Sequence, residues 1–259
     1  MEINYQNISQ TQLKKWAKLS DVKVRREEGI FLAEGVKVVQ ELIASTYLIK
    51  ALLLMPEKTT HRENFEFHPS QNVPVYQLTR SQWQKIGQDR EPEGIMAVVS
   101  IKQPPDTTAW LPKTPGNILI LHEINNPRNL GAIMRSAHWF GFSGIIISTN
   151  SADYTNPKAV RASMGSLFHL TIIPEIDLSV TLPEIKKHFF LVGSDVREGL
   201  EPHPVIKKTA LLLGNESHGL PPSLLKTAHE QWSIPGRSKV DSLSLAQAAA
   251  IMMYECTKK

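Results

Sequence analysis

Apolar residues recur along this chain at two spacings, and the mixture changes near the middle. Residues 118–121, 145–147, 189–192 and 210–213 are short runs rich in Ile, Leu and Val, with helix-like segments between them. Runs of that length read as strands. Strands alternating with helices predict an α/β fold: a mostly parallel sheet with helices on both faces. Earlier in the chain, residues 31–33, 51–55 and 95–101 read as strands and 36–44 as a helix, which makes a smaller α/β unit. Between the two lies QPPDTTAWLPKTPG, residues 103–116, whose four prolines break both periods. The expected domains are therefore 1–102 and 117–259, with 103–116 as the linker.

Two helices are marked by their stripes. Leu130, Ile133, Met134 and Ala137 fall at i, i+3, i+4 and i+7, and Arg135 points away from them. Leu245, Ala248, Ala249 and Met252 repeat the pattern near the C-terminus. Ser244 and Gln247 stand at capping-box spacing at the start of that second helix.

Composition narrows the class. The 259 residues are 41% hydrophobic and 21% charged, which fits a globular chain with real cores. The net charge of +4 is compatible with a polyanionic partner but decides nothing by itself. A single cysteine, Cys256, excludes an intramolecular disulfide and a Cys-rich metal site, so no metal is expected. That usage suits the cytoplasm. There is no apolar run of about 18 residues and no secretory leader pattern, so no membrane partner is expected. Zinc-peptidase and α/β-hydrolase patterns are absent as well.

Three segments carry candidate chemistry. The first, NNPRNLGAIMRSAHWFGF, has Asn129 and Gly131 in the spacing of a tight turn into a helix that leaves backbone donors free. The second, GNESHG at 214–219, follows an apolar run, where glycines permit close approach to the backbone. The third, IPGRSKVDSLSLAQ, has a loop around Gly236 and Ser238, then Ser242 and Ser244 at a helix start. Taken singly, each is also an ordinary loop or cap, and His218 an ordinary loop histidine.

In this order the three segments resemble the SpoU family of RNA ribose 2′-O-methyltransferases. The match is to N-x-G-x-x-x-R, then G-x-E-x-x-G-L, then I-P followed by S-L-N at a helix start. The stretch NPKAVRASMGSLFHL at 156–170 is similar too. GIFLAEGVKVVQELIAS and PEGIMAVVS in the first domain resemble the family's substrate-binding domain, an α/β fold like certain RNA-binding ribosomal proteins.

The resemblance implies a trefoil-knotted catalytic domain that works as a homodimer. It implies S-adenosylmethionine as cofactor, held by Gly214, Ile234 and Leu243 with Leu213, Asn215 and Pro235 nearby. It assigns Arg135 the central catalytic role, supported by Asn129, with Glu216 ordering the loops and Ser242 shaping the site. A guanidinium stays protonated, so Arg135 is expected to bind phosphate and stabilise alkoxide charge rather than act as base. Lys158 and Arg161 are expected RNA contacts, as are Lys14, Lys15, Lys18, Lys23, Arg25 and Arg26. The substrate implied is RNA, ribosomal before transfer RNA. One departure stands out: Ser242-Leu243-Ser244 replaces S-L-N. It keeps open an alternative, an RNA-binding protein of the same fold with weakened catalysis.

Overall fold

The computed structural model describes residues 5–59, 73–88, 91–236 and 242–258. Part of the expected 236–238 loop, Ser238 included, lies outside them. By packing, the chain divides into one unit of residues 1–102 with 155–168 and another of 103–154 with 169–259.

The first unit begins with β1 (Tyr5–Asn7), α1 (Gln10–Ala17), α2 (Val22–Glu28), β2 (Ile30–Glu34) and α3 (Val36–Ile43). It continues with β3 (Ile49–Leu54), α4 (Pro56–Thr59), β4 (Val75–Gln77), α5 (Arg80–Trp83) and β5 (Ile95–Ser100). Its sheet has the order β1-β4-β3-β5-β2, with β5 antiparallel to both its neighbours. Alternation puts Leu32, Ala51, Leu53, Met96 and Val98 on one face, packed with Leu13, Trp16 and Trp83 of the helices. Phe31 and Val99 are as fully buried on the other face. There α3 packs on β2 and β5. So does a later segment: α8 (Pro157–Ala162) lies against β2, and the Phe168 ring stacks 6.4 Å from that of Phe31.

The second unit contains α6 (Thr107–Trp110), β6 (Ile118–Leu121), α7 (Pro127–Trp139) and β7 (Gly144–Ser148). After α8 come β8 (Thr171–Ile176), α9 (Leu178–His188), β9 (Phe190–Ser194) and β10 (Thr209–Leu213). The chain ends with α10 (Pro222–Leu225), β11 (Glu230–Trp232) and α11 (Leu245–Thr257). The sheet order is β11-β9-β10-β6-β7-β8, parallel throughout. Ile118, Ile120, Ile146, Ala210 and Leu212 face Leu178, Leu182 and Ile185 of α9. Leu119, Leu121, Leu211 and Leu213, of opposite parity, are also fully buried, so both faces are covered. The helix α11 packs on α7 and β10.

The α7 stripe buries as its spacing predicts, with Gly131 added. Leu130, Ile133 and Met134 each contribute about 1.5–3 kcal/mol by leaving water. In α11 the buried stripe lies further along, at Ala249, Met252, Met253 and Cys256. Burial there pushes the Cys256 thiol up to about 12, so it is inert as a nucleophile. The capping box of Ser244 and Gln247 forms.

Three expectations change. The proline-rich seam is folded: Asp106 caps α6, and Leu111 joins the core of the second sheet. Asn129 and Gly131 lie inside α7 rather than in a turn before it. Asn126 caps the helix and Pro127 opens it, and both residue types favour a start there. Arg25 is not an RNA contact, because it is 1% exposed and bound internally. Its Nε donates to Thr155 Oγ1 at 2.9 Å, and its Nη1 to the carbonyls of Leu19 and Ser20 at 2.9 and 3.0 Å. It ties α2 to the segment that completes the first unit.

Arg25→Ala would leave buried acceptors unmatched and should lower the unfolding free energy by about 2–3 kcal/mol. Denaturant titration measures that loss; a change within about 0.5 kcal/mol would mean that the bonds contribute nothing.

Candidate active site

The strand order of the second unit locates a crevice. After β6 the chain crosses to β7 on one side, and after β10 it proceeds to β11 on the other. Neighbouring parallel strands whose connections part in this way leave an opening at their carboxyl ends, where α/β sheets bind ligands. The segments that leave those ends are 122–126 and 214–219.

Hydrogen bonds join them. The N–H of His122 donates to the Leu213 carbonyl at 2.9 Å. Asn215 Nδ2 donates to the Glu123 carbonyl at 2.7 Å, and Glu123 has the left-handed φ of 52°. The Glu216 carboxylate accepts from the N–H groups of Asn125 and Asn126, both at 3.2 Å, and from Asn129 Nδ2 at 3.1 Å. A carboxylate thus sits at the N-terminus of α7, the end that favours an anion.

Partial burial pushes the Glu216 pKa up. Hydrogen bonds from its own N–H, from Asn129 and from the N–H groups of Asn125 and Asn126 outweigh that effect and hold it below the ordinary value. Glu216 is therefore a fixed carboxylate, suited to ordering a loop and unsuited to carrying a proton near neutral pH.

Gly214 is required where it stands. A Cβ there would lie 2.3 Å from the Gly219 carbonyl carbon, because the loop folds back on itself. Asn215 closes that loop through reciprocal backbone bonds with Gly219 at 3.1 and 3.0 Å. Its Oδ1 accepts from the N–H of Ser217 at 2.8 Å and of His218 at 3.3 Å. Each polar atom of Asn215 therefore has a partner inside the protein, which fixes the shape of the loop. Leu213 is fully buried and its carbonyl accepts from His122, so it supports the base of the loop from inside the sheet.

The remaining expected residues are less tightly gathered. Ile234 and Pro235 follow β11, which reaches the same edge of the sheet two strands from β10, ~10 Å away at the usual strand spacing. Ser242 and Leu243 precede the Ser244 cap of α11 and are exposed. The Ser244 hydroxyl serves the capping box, so serine in place of asparagine leaves the helix start intact. Arg135 lies six residues beyond Asn129 on α7, ~9 Å along the axis. Its side chain is exposed and makes no hydrogen bond or ion pair among the described residues. The clamp of Asn129 and Glu216 therefore does not include it.

Lys158 is exposed and Arg161 half-buried on α8. Lys14, Lys18 and Arg26 are exposed; Lys15 pairs with Glu28 at 2.5 Å and Lys23 with Glu27 at 3.9 Å. His122, which belongs to none of the three sequence segments, directly follows β6. Its Nδ1 is buried at the crevice without a hydrogen-bond partner among the described residues. Burial pushes its pKa down, against the opposing pull of Glu123. No local pattern around His122 marks it, because its place depends on which strands neighbour β6.

A buried ring nitrogen without a partner among the described residues, a glycine-backed loop and the apolar Ile234 that follows β11 at the same end of the sheet suit a nucleoside, which has both polar edges and a flat apolar body.

Residues 116–254 match the model of the SpoU rRNA methylase family, and residues 10–97 match an MRM3-like substrate-binding domain. The chain is 27% identical over 245 residues to a 23S rRNA (guanosine(2553)-2′-O)-methyltransferase of Bacillus subtilis, covering 93% of this chain and 94% of that one. It is 26% identical to a 23S rRNA (uridine(2479)-2′-O)-methyltransferase of Streptomyces viridochromogenes, covering 94% and 88%. The crystal structure of an AdoMet-bound rRNA methyltransferase from Sinorhizobium meliloti superposes with a TM-score of 0.80 at 25% identity, covering 97% of each chain.

Two outcomes test the site. Gly214→Ala forces backbone apart and should cost about 1–3 kcal/mol of stability, read by thermal and denaturant unfolding. For Glu216→Gln the pH dependence is diagnostic. The lowered folded pKa means that the carboxylate contributes stability above the ordinary value of 4.5 and loses it as pH falls through the lowered value. The stability gap between the two proteins should be full near neutrality and close in acid; a gap that persists unchanged would rule out the charge.

Proposed function

We propose the function that follows from one premise: the chain belongs to the SpoU rRNA methylase family, whose model it matches over more than half its length. It is an S-adenosylmethionine-dependent methyltransferase that modifies a ribose 2′-hydroxyl of RNA, with ribosomal RNA as the substrate class. The observation that carries this reading is the crevice between β6 and β10, closed by Glu216 on Asn125, Asn126 and Asn129. Both full-length relatives named above act on 23S rRNA riboses, at different bases. The target nucleotide is therefore not carried over.

Bound S-adenosylmethionine supplies a methyl group on a sulfonium, electrophilic enough for transfer to an oxygen. The loop from Gly214, seated on Leu213 and followed by Asn215, would hold it together with Ile234, Pro235 and Leu243. Residues 10–97 would bind RNA outside the reacting nucleotide, in keeping with the family of that segment. The second unit would carry the trefoil knot of the family, and the protein would act in the cytoplasm.

Arg135 is assigned to a ribose-flanking phosphate and to alkoxide charge, since its planar fork donates and never accepts. Its place in the chain supports a homodimeric site. It shares a helix face, one turn away, with Trp139, which is 84% exposed. Tyr254 and Ile251 on the adjoining α11 are exposed as well, and the Tyr254 ring lies 6.0 Å from that of Phe140. An apolar patch of this kind marks a protein contact, and a second copy would cover it and bring Arg135 to a site.

Transfer of labelled methyl to ribosomal RNA, followed by mapping of 2′-O-methyls in cells with and without the protein, tests the assignment; no lost site would overturn it. Arg135→Ala should lower kcat by about 10²–10³ with cofactor affinity retained, and Arg135→Lys should recover little. Trp139→Glu should shift sedimentation to monomer and lower activity together; a fully active monomer would refute the shared site.

A further inference from the structure

The opposite edge of the second sheet carries a basic cleft that the reaction does not use. Lys186, Lys187, His188, Phe189 and Phe190 come from the end of α9 and the start of β9. Lys207 and Lys208 precede β10, and His229 precedes β11. Together they line a cavity of about 420 Å³. These residues lie at the amino ends of parallel strands whose carboxyl ends bear Gly214 and the crevice. The length of β10 separates the two, ~13 Å at 3.3 Å per residue.

Lysines at the end of a helix commonly do no more than complement its dipole. Two observations exceed that account here. The four lysines converge from separate parts of the chain, and their counter-charge is small. Glu184 is taken by Lys187 at 2.5 Å and His188 at 3.3 Å, while Glu230 is held by His203 and Trp232, both at 3.0 Å. Lys208 is anchored structurally, donating to the Thr114 carbonyl at 3.0 Å with its ammonium 5.1 Å from the Phe189 ring. Lys207 is aimed by the Phe190 ring, 5.5 Å from its ammonium, and that ring stacks on His229 at 4.9 Å. The Lys186 ammonium makes no hydrogen bond or ion pair among the described residues.

The field of these cations is felt by the histidine. Burial first, then Lys186 and Lys207, hold the His229 pKa below its ordinary value. The ring is therefore neutral near pH 7, and the charge of the cleft belongs to the lysines. Unpaired ammonium groups beside aromatic faces, in a cleft too open to be a core defect, have the chemistry of a phosphodiester contact.

We propose that this cleft is a second RNA-binding site, in which Lys186 and Lys207 hold the phosphate backbone of the substrate RNA at a point remote from the ribose being methylated. The proposal rests on the reading of the chain as an RNA methyltransferase. A second anchor across the sheet would let the enzyme recognise a folded RNA by shape, at a cost in salt sensitivity.

The test compares the full chain with Lys186→Gln/Lys207→Gln, two substitutions on partly or fully exposed side chains outside the crevice. The probe is ribosomal RNA purified from cells lacking this protein, titrated across a salt series. S-adenosylmethionine affinity and melting temperature are measured alongside. The expected result is about tenfold weaker RNA binding in low salt and a log–log salt slope smaller by about 1.5–2, one unit or slightly less per lost contact. Cofactor affinity and melting should not change. Equal RNA affinity and slope in both proteins overturn the second site while leaving the methyltransferase reading intact. Failure of the unaltered protein to bind RNA or cofactor overturns that reading and the site with it. Binding of free inorganic phosphate to this cleft, with RNA affinity indifferent to the substitutions, would make it a small-anion site and refute the proposal.

Discussion

The Glu216 carboxylate is the constraint on which the rest of the site depends. The N-terminus of a helix offers unpaired N–H groups and partial positive charge. In this protein that position is filled from within, by a carboxylate on the loop after β10. The same carboxylate reaches Asn129 inside the helix. One side chain therefore sets the distance between the β10 loop and α7, and with it the width of the opening between β6 and β10. Asn215 makes the complementary tie from the next residue, to the Glu123 carbonyl. The two ties leave little slack: Gly214 has no room for a side chain where the loop returns.

A parallel sheet separates its two edges chemically, because all its strands enter at one and leave at the other. The leaving edge of the second unit holds the glycine loop, the buried His122 and the clamp. The entering edge holds lysines and aromatic rings with few carboxylates. Both arrangements rest on a largely aliphatic core that is buried on either face, with the few buried hydroxyls, such as those of Thr209 and Ser148, at the strand ends. The rigidity of that core is what keeps loops from distant parts of the chain in register.

In the first unit the deciding interaction is a buried cation. Arg25 looks like its basic neighbours in α2 when read along the chain, but it faces inward and bonds Thr155 and two carbonyls. Residues 155–168 belong with that unit by packing, even though the chain reaches them only after two strands of the other sheet.

The sequence by itself determined the class of the fold, the central strands and the two long amphipathic helices. Strands such as 118–121 and 210–213 are apolar on both faces, so their burial is written in consecutive residues, and the α7 stripe is written at a spacing of 3.6. Strands at or near the edges, β1, β4, β8 and β11, are short or carry exposed and polar positions, and nothing local distinguishes them from loops. The ordered set of Asn129, Arg135, Gly214, Glu216 and Ile234 was enough to suggest the chemistry. Only the tertiary structure decided which of these residues meet. It joined Asn129 to Glu216, left Arg135 apart, turned Arg25 inward and brought His122 to the crevice. Each outcome depends on strand order and on the partner presented by another segment, and no spacing along a single segment encodes that partner.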